Sequence, residues 1–168
     1  MKLTTLEDLF LHKLLDLMSA EKQLMVALPE MAETANDPRL RATIQDHLAQ
    51  TETHLTRVER VFEMLGKHPR EHRCKAMEGL IVEEWDIVHE DAEPAVHDAA
   101  LIAAAQSIEH YEIAAYGTVC CYAELLGHDY IAELLAKTLE EEKMADEKLT
   151  EIAQAAINLE AAEPVAES

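Results

Sequence analysis

The chain has 168 residues and a formal net charge of −20, from 14 basic against 34 acidic side chains. As a whole it repels a phosphate backbone or an anionic membrane surface, so neither nucleic acid nor membrane is an expected partner. One domain of this length buries about two-thirds of its unfolded surface, and 4 Gly, 5 Pro and 4% aromatics, with Ala, Leu, Glu and Met abundant, suit long helices and exclude a sheet protein.

Thr4 and Glu7 have capping-box spacing ahead of Leu9, Phe10, Leu14 and Leu17, the start of an amphipathic helix and not of a signal peptide. A first helix is expected from about Thr5 to Glu33, with Pro29 bending or tightening its last turns. Asn36-Asp37-Pro38 makes a turn with helix-starting chemistry, and a second helix follows from Arg39 to about Leu65, stopped by Gly66 and Pro69. These two form an antiparallel hairpin. Between His68 and Pro94 one shorter pattern, Met77, Leu80, Ile81, Trp85 and Val88, predicts a short helix on a crossover that returns the chain along a bundle.

A third long helix is expected from about Ala95 to Leu126 and, after Gly127-His128-Asp129, a fourth from Tyr130 to about Leu159. Residues 1–159 make the domain and 160–168, polar and holding Pro164, a frayed tail. No apolar run approaches the ~18 residues of a membrane span, and the expected location is the cytoplasm. Cys74, Cys120 and Cys121 have no metal-type spacing and indicate no disulfide framework. Cys120 and Cys121 read as small apolar fillers rather than oxidation sensors.

The two hairpins echo each other at an offset of 91 residues: Glu21 falls on Glu112, Leu40 on Ile131, Ile44 on Leu135, Leu48 on Leu139 and Val58 on Leu149. The fold class predicted is all-α, a four-helix bundle of two antiparallel hairpins, joined by a long crossover with a short extra helix.

Acids interrupt the apolar stripes of these helices. The first stripe is Phe10, Leu14, Leu17, Glu21, Leu24, Leu28 and Met31. The third is Ala105, Ile108, Glu109, Glu112, Ala115, Tyr116 and Val119, whose Glu-x-x-Glu puts both acids on one face. On the fourth, Glu142 follows Ile131, Leu135 and Thr138, with Ala145 and Asp146 after it. The second is different: among Leu40, Ile44, Leu48, Leu55 and Val58 it carries His47, Gln50, Thr51 and His54.

A buried carboxylate must be paired, hydrogen-bonded or metal-bound, since desolvating it alone costs several kcal/mol or more. Hairpin geometry sets Glu21 opposite Gln50 and Thr51, and Glu112 opposite Glu142, with His47 at the same end as Glu109 and Asp146. Oxygen and imidazole donors aimed inward from four helices suit two ions of iron, or manganese, held as a carboxylate-bridged pair.

Each residue also has a plainer account. A single Glu or Asp, Asp146 in particular, can be a boundary residue whose stem packs and whose head reaches water. His47 or His54 can be a hydrogen-bonded core imidazole, and Tyr111 and Tyr116 can simply pack. Glu140 and Glu141 read as a solvated face, and Glu78 has no evident role. Four acids together, Glu21, Glu109, Glu112 and Glu142, are hard to explain that way.

The segments Ser19-Ala20-Glu21-Lys22-Gln23-Leu24, Cys74-Lys75-Ala76-Met77-Glu78-Gly79-Leu80-Ile81, Ala99-Ala100-Leu101-Ile102-Ala103-Ala104-Ala105-Gln106, Glu109-His110-Tyr111-Glu112-Ile113-Ala114 and Leu139-Glu140-Glu141-Glu142-Lys143 closely resemble the YciE/YciF stress-protein family of the ferritin-like superfamily, over roughly residues 5–157. The resemblance implies a ferritin-like bundle, a homodimer, a role in stress responses, and a di-iron-type site whose ligands fall on Glu21, His47, Glu109, Glu112 and Glu142. The chain departs from the family at Gln50, where its members carry Glu; a neutral amide is a weak ligand and a poor bridge. The Glu-x-x-His motif usual in ferritins and rubrerythrins is absent, Thr51 and Ala145 interrupting its two expected places.

Two functions follow as expectations: an iron-, oxygen- or peroxide-handling protein, or a non-enzymatic dimer whose metal, if bound, only offsets buried charge. An iron-storage shell is weaker, because nothing supplies the fifth short helix or the cage contacts. Leu9, Leu11, Leu15, Val26 and Leu101 lie off the inner stripes, and a homodimer is expected to cover them.

Overall fold

The computed structural model describes residues 3–163, apart from the side chains of Glu84 and Ile87. Helix α1 (Leu6–Thr34) starts from a capping box of Thr5 and Asp8: the Thr5 hydroxyl accepts from Asp8 N at 3.1 Å, and the Asp8 carboxylate accepts from Thr5 N at 3.0 Å. The box sits one residue later than the expected Thr4 and Glu7. Asp8 also takes the Thr4 N–H and hydroxyl, at 2.9 and 2.8 Å, so one short carboxylate serves both threonines. Pro29 lies inside α1 without ending it.

Helix α2 (Pro38–Met64) has Pro38 in its first turn, where a missing N–H costs nothing, and Asp37 as cap, accepting from Arg39 N at 2.7 Å and Leu40 N at 3.3 Å. Gly66, at φ 63, turns the chain out of α2, and Gly127, at φ 76, does the same after the helix that ends at Leu125. Helices α3 (Lys75–Val88), α4 (Pro94–Leu125) and α5 (Asp129–Ile152) follow. The expected continuous last helix is broken by a π turn, Ala153–Ile157, before a short α6 (Asn158–Ala161). This turn keeps Ala153 and Ile157 buried beside Leu149, and the alanine-rich segment gives no periodic cue to it. Of the expected tail, Glu160 and Ala161 are helical, Ala162 and Glu163 turn out of the helix, and 164–168 lie outside the described residues.

All described secondary structure is helical, and no strand occurs among the described residues. α1 packs on α2, α2 on α5, α5 on α4 and α4 on α1, while α3 lies against α4 and α1. One apolar cluster joins Leu24, Leu28 and Met31 of α1 to Leu40 and Ile44 of α2, Leu101 to Ile108 of α4, and Leu149. The other joins Phe10 to Leu17 with Val58 to Phe62, Tyr116 to Ala123, and Ile131 to Leu135. The start of each first helix therefore meets the end of its partner, while α2 and α4 run the same way. Between the clusters lies a polar layer.

Two residues expected on the surface lie inside. Leu101 and Leu15 are 0% and 5% exposed; α3 lies over α4, and its Met77 and Val88 share a cluster with Leu101. Of the five off-stripe apolar residues, Val26 remains well exposed. One buried acid had no forewarning: Asp98 accepts from Asn36 N at 2.8 Å and Asp37 N at 2.6 Å, fastening the start of α4 to the α1–α2 turn.

Candidate metal centre

The polar layer is built at mid-helix, where each stripe runs apolar on both sides of its acids or, on α2, its histidines, and helical rigidity fixes the side-chain direction. Glu21, Glu112 and Glu142 are 0% exposed and Glu109 2%, with His54 at 0% and His47 at 5%. The His47 Nε2 lies 3.2 Å from Glu109 Oε1 and 3.8 Å from Glu142 Oε2. The His54 Nδ1 lies 2.8 Å from Glu142 Oε1 and 3.8 Å from Glu21 Oε1.

Two groups of donors result, each with its ligand atoms within 4.8 Å of one another: His47, Glu109, Glu112 and Glu142, and then Glu21, His54 and Glu142. Glu142 belongs to both, and turns Oε2 to one histidine and Oε1 to the other. The arrangement is two adjoining groups of potential metal donors sharing one carboxylate.

The donors fit a metal for a second reason. Both oxygens of Glu112 and Glu142, Oε2 of Glu21 and Glu109, both nitrogens of His47, Nδ1 of His54 and the Thr51 hydroxyl are buried and have no hydrogen-bond partner among the described residues. His54 Nδ1 and Glu142 Oε1 face each other at 2.8 Å as an ion pair. An orphaned buried polar atom costs about 1–3 kcal/mol, and more if charged. So many around one point are satisfied together by a cation.

Without one, the core resists charge. Burial lifts the Glu21 carboxyl to about 8, against the pull of His54 and with the push of Glu142. Burial, and then the neighbouring acids, hold Glu109 and Glu112 well above the ordinary carboxylate range. Burial also disfavours the Glu142 anion, but His54 and His47 outweigh it and keep Glu142 low. His54 is likewise raised, its burial overcome by Glu142, Glu21 and Glu141, whereas burial lowers His47. In the metal-free centre burial thus favours the neutral forms of Glu21, Glu109 and Glu112, while the two histidines favour the Glu142 anion.

Around this centre a supporting layer orients the donors. The Tyr116 hydroxyl donates a short hydrogen bond to Glu21 Oε1. Glu141, read from sequence as a solvated acid, instead meets His54 Nε2 at 2.9 Å and is gripped by Arg57, with one contact at 3.0 Å and a shorter one. A carboxylate on the far nitrogen leaves Nδ1 of His54 to face the centre. Arg57 also donates to Thr138 at 3.0 Å. A small cavity of about 10 Å³, between His47, Glu109 and Ala145 among others, adjoins the centre.

Glu21, His47, Glu109, Glu112 and Glu142 thus come together, and Gln50, half-buried, stands beside His47. Asp146 does not join them: it accepts from Gln106 at 3.0 Å and lies 3.3 Å from His110. Tyr111 turns to Cys74, its hydroxyl 2.9 Å from Sγ, and not to the acids. Cys120 is buried, as expected of a filler, but Cys121 is exposed. Glu78 pairs with Arg73 at 2.8 Å, and Glu140 with Lys143 at 3.5 Å. His54, left open between ligand and core imidazole, lies among the donors; its seven-residue spacing from His47 puts both on one helix face.

Comparison with known proteins places the chain in a family. The family described as Domain of unknown function (DUF892) matches residues 5–162, and the chain belongs to it. Protein YciF of Escherichia coli (strain K12) is 44% identical over 162 residues, 96% of this chain and 98% of that one. The crystal structure of the E. coli stress protein YciF superposes with a TM-score of 0.89 over 93% of this chain and 99% of that chain. YcfI from Rhodopseudomonas palustris, 45% identical, gives 0.85 over 88% and 94%. A two-domain protein from Anabaena variabilis with a ferritin-like domain, 15% identical, gives 0.64 over 98% of this chain and 41% of that one, a likeness of fold alone.

Proposed function

We propose that this member of the DUF892 family is a ferritin-like four-helix bundle holding a di-iron-type centre, with manganese the alternative metal, and that it handles iron, oxygen or peroxide under stress. The observation that carries this reading is Glu142, shared between two groups of buried donors that otherwise lack partners. His47, Glu109, Glu112 and Glu142 would hold one ion, and Glu21, His54 and Glu142 the other. Iron bound there supplies electron exchange with oxygen or peroxide.

The residues of the chain do the rest. Tyr116 fixes the Glu21 carboxylate, and Glu141, clamped by Arg57, fixes the His54 ring. The apolar clusters on either side exclude bulk water. Gln50 serves as a weak ligand or as a donor to the ligands. The name of the E. coli relative, a stress protein, supports the physiological setting, and a cytoplasmic location goes with it. No helix among the described residues is long and apolar enough to cross a membrane.

A second reading, a non-enzymatic dimer whose metal only offsets buried charge, is favoured by one feature: Gln50 and Thr51 add no anion from α2, so a single carboxylate is shared between the positions. Repeated ferrous oxidation in excess over protein supports the first reading; stoichiometric binding without turnover supports the second. For assembly we propose a homodimer, resting on exposed apolar side chains such as Val26 and Val82 at 77% and 57%. Light scattering at micromolar concentration checks it, and a monomer alone contradicts it.

A further inference from the structure

A separate set of metal-type donors lies where α1 meets the connection between α2 and α3. His12 and Asp16 stand four residues apart on α1 and share a face. His72, in the connection ahead of α3, reaches the same place: its Nε2 is 2.6 Å from Asp16 Oδ1, and its ring meets that of His12 edge-on, centroids 5.0 Å apart. One donor atom from each of the three lies within 4.8 Å of the other two.

A hydrogen-bonded staple explains part of this. His72 ties the connection to α1 through Asp16, and just beyond it Cys74 N donates to Ser19 Oγ at 2.8 Å while Gln23 donates to Cys74 O at 3.1 Å. The staple does not explain His12. Its Nδ1 is buried with no partner among the described residues, and its Nε2 stops 4.0 Å from Asp16 Oδ2, beyond hydrogen-bond range. An imidazole held toward a carboxylate and a second imidazole, yet bonded to neither, is one donor of an incomplete set.

We propose that His12, Asp16 and His72 form a second cation site, for a divalent late-transition ion of the zinc type, which clamps the α2–α3 connection to α1. Two imidazoles and one carboxylate make three protein ligands, with a fourth position left to water. This donor set suits zinc better than the oxygen-rich central one does. Donors on a common zinc, at about 2.0–2.1 Å each, lie roughly 3.3 Å apart. The three donor atoms already lie within 4.8 Å of one another, so gathering them on one ion takes shifts on the order of an ångström, and the His12 and His72 side chains, 31% and 20% exposed, are free to rotate. Lys13 is a built-in competitor, with Nζ 2.8 Å from Asp16 Oδ2 and a side chain 39% exposed that is able to swing away.

The site is independent of the central one, and its test keeps them apart. Zinc stoichiometry and affinity are measured on the metal-stripped full chain and on Lys13→Met, His12→Ala and His72→Ala, with cobalt(II) absorption as a second probe of the same site. Expected results are a several-fold gain in zinc affinity for Lys13→Met, and one fewer zinc per chain with loss of the four-coordinate cobalt bands for His12→Ala and His72→Ala. Iron content at the central site stays unchanged in all three. Lys13→Met, altering an exposed side chain, keeps the test usable if a histidine variant folds poorly. Equal zinc stoichiometry in the wild type and His12→Ala, or an unchanged affinity in Lys13→Met, overturns the proposal. A wild type whose central site takes no metal but which still binds one zinc per chain, lost in His12→Ala, upholds it.

Discussion

The two hairpins share a backbone plan and divide the chemistry unequally. At the repeat offset Glu21 of α1 answers Glu112 of α4, acid for acid, but Met18 answers Glu109, Thr51 answers Glu142, and His54 answers Ala145. The first hairpin brings one acid and two imidazoles to the centre, and the second brings three acids and no imidazole. Packing constrains the apolar positions alike in both halves, whereas a shared centre needs only the summed donor set, so donors are free to redistribute across the bundle.

The largest effect expected from this asymmetry falls on Glu142, the residue both groups use. Glu142→Gln should abolish both metal positions, while Glu109→Gln should weaken one, as read by metal analysis after ferrous loading. Equal losses in the two variants would erase the distinction between shared and single donors. Next in size is Glu141→Gln, which leaves every proposed ligand in place but loosens the His54 ring. Its metal affinity should fall about 10- to 100-fold.

Restoring symmetry should sharpen the comparison. Thr51→Glu adds the acid that answers Glu142 and should tighten metal binding. It should also destabilise the metal-free protein by roughly 1–3 kcal/mol, because one more polar group is then buried without a partner. Opposite shifts of the metal-free and metal-loaded melting temperatures check it.

A smaller, graded effect should follow pH. Glu21 is raised from its ordinary value to about 8, so between about 4.5 and 8 the folded metal-free state holds a proton that the unfolded state has lost. Its stabilising contribution is complete below that window and is lost as pH rises through it. The raised His54 acts in the same sense. Stability of the metal-free protein should therefore fall with rising pH while metal affinity climbs, since binding displaces these protons. Glu112→Gln should raise the melting temperature of the metal-free protein toward the alkaline end, by removing one of the crowded acids. A stability that rises with pH in this window would contradict the assignment.

Much of the fold was legible in the sequence because helix stripes and turn chemistry are local. The stripes place Glu21, Glu109, Glu112 and Glu142 inward, and Pro38, Gly66 and Gly127 mark helix ends where the structure has them. What was not legible depends on atoms from distant segments. Glu141 looks like its neighbour Glu140 in sequence, and only the approach of α2 gives it His54 and Arg57 as partners. Asp146 continues the inward stripe of α5 but is drawn off by Gln106 and His110. The π turn at Ala153 leaves no trace in a run of small residues, and Leu101 looked exposed because stripe analysis does not show α3 lying against α4.

The most direct measurement of the central claim is anomalous diffraction at the iron edge from crystals of the ferrous-loaded chain. The account predicts two peaks in each molecule, one on either side of the Glu142 carboxylate, one near His47, Glu109 and Glu112 and the other near Glu21 and His54. No peak in the polar layer of a loaded crystal, with the four carboxylates hydrogen-bonded to one another or turned to solvent, would contradict it.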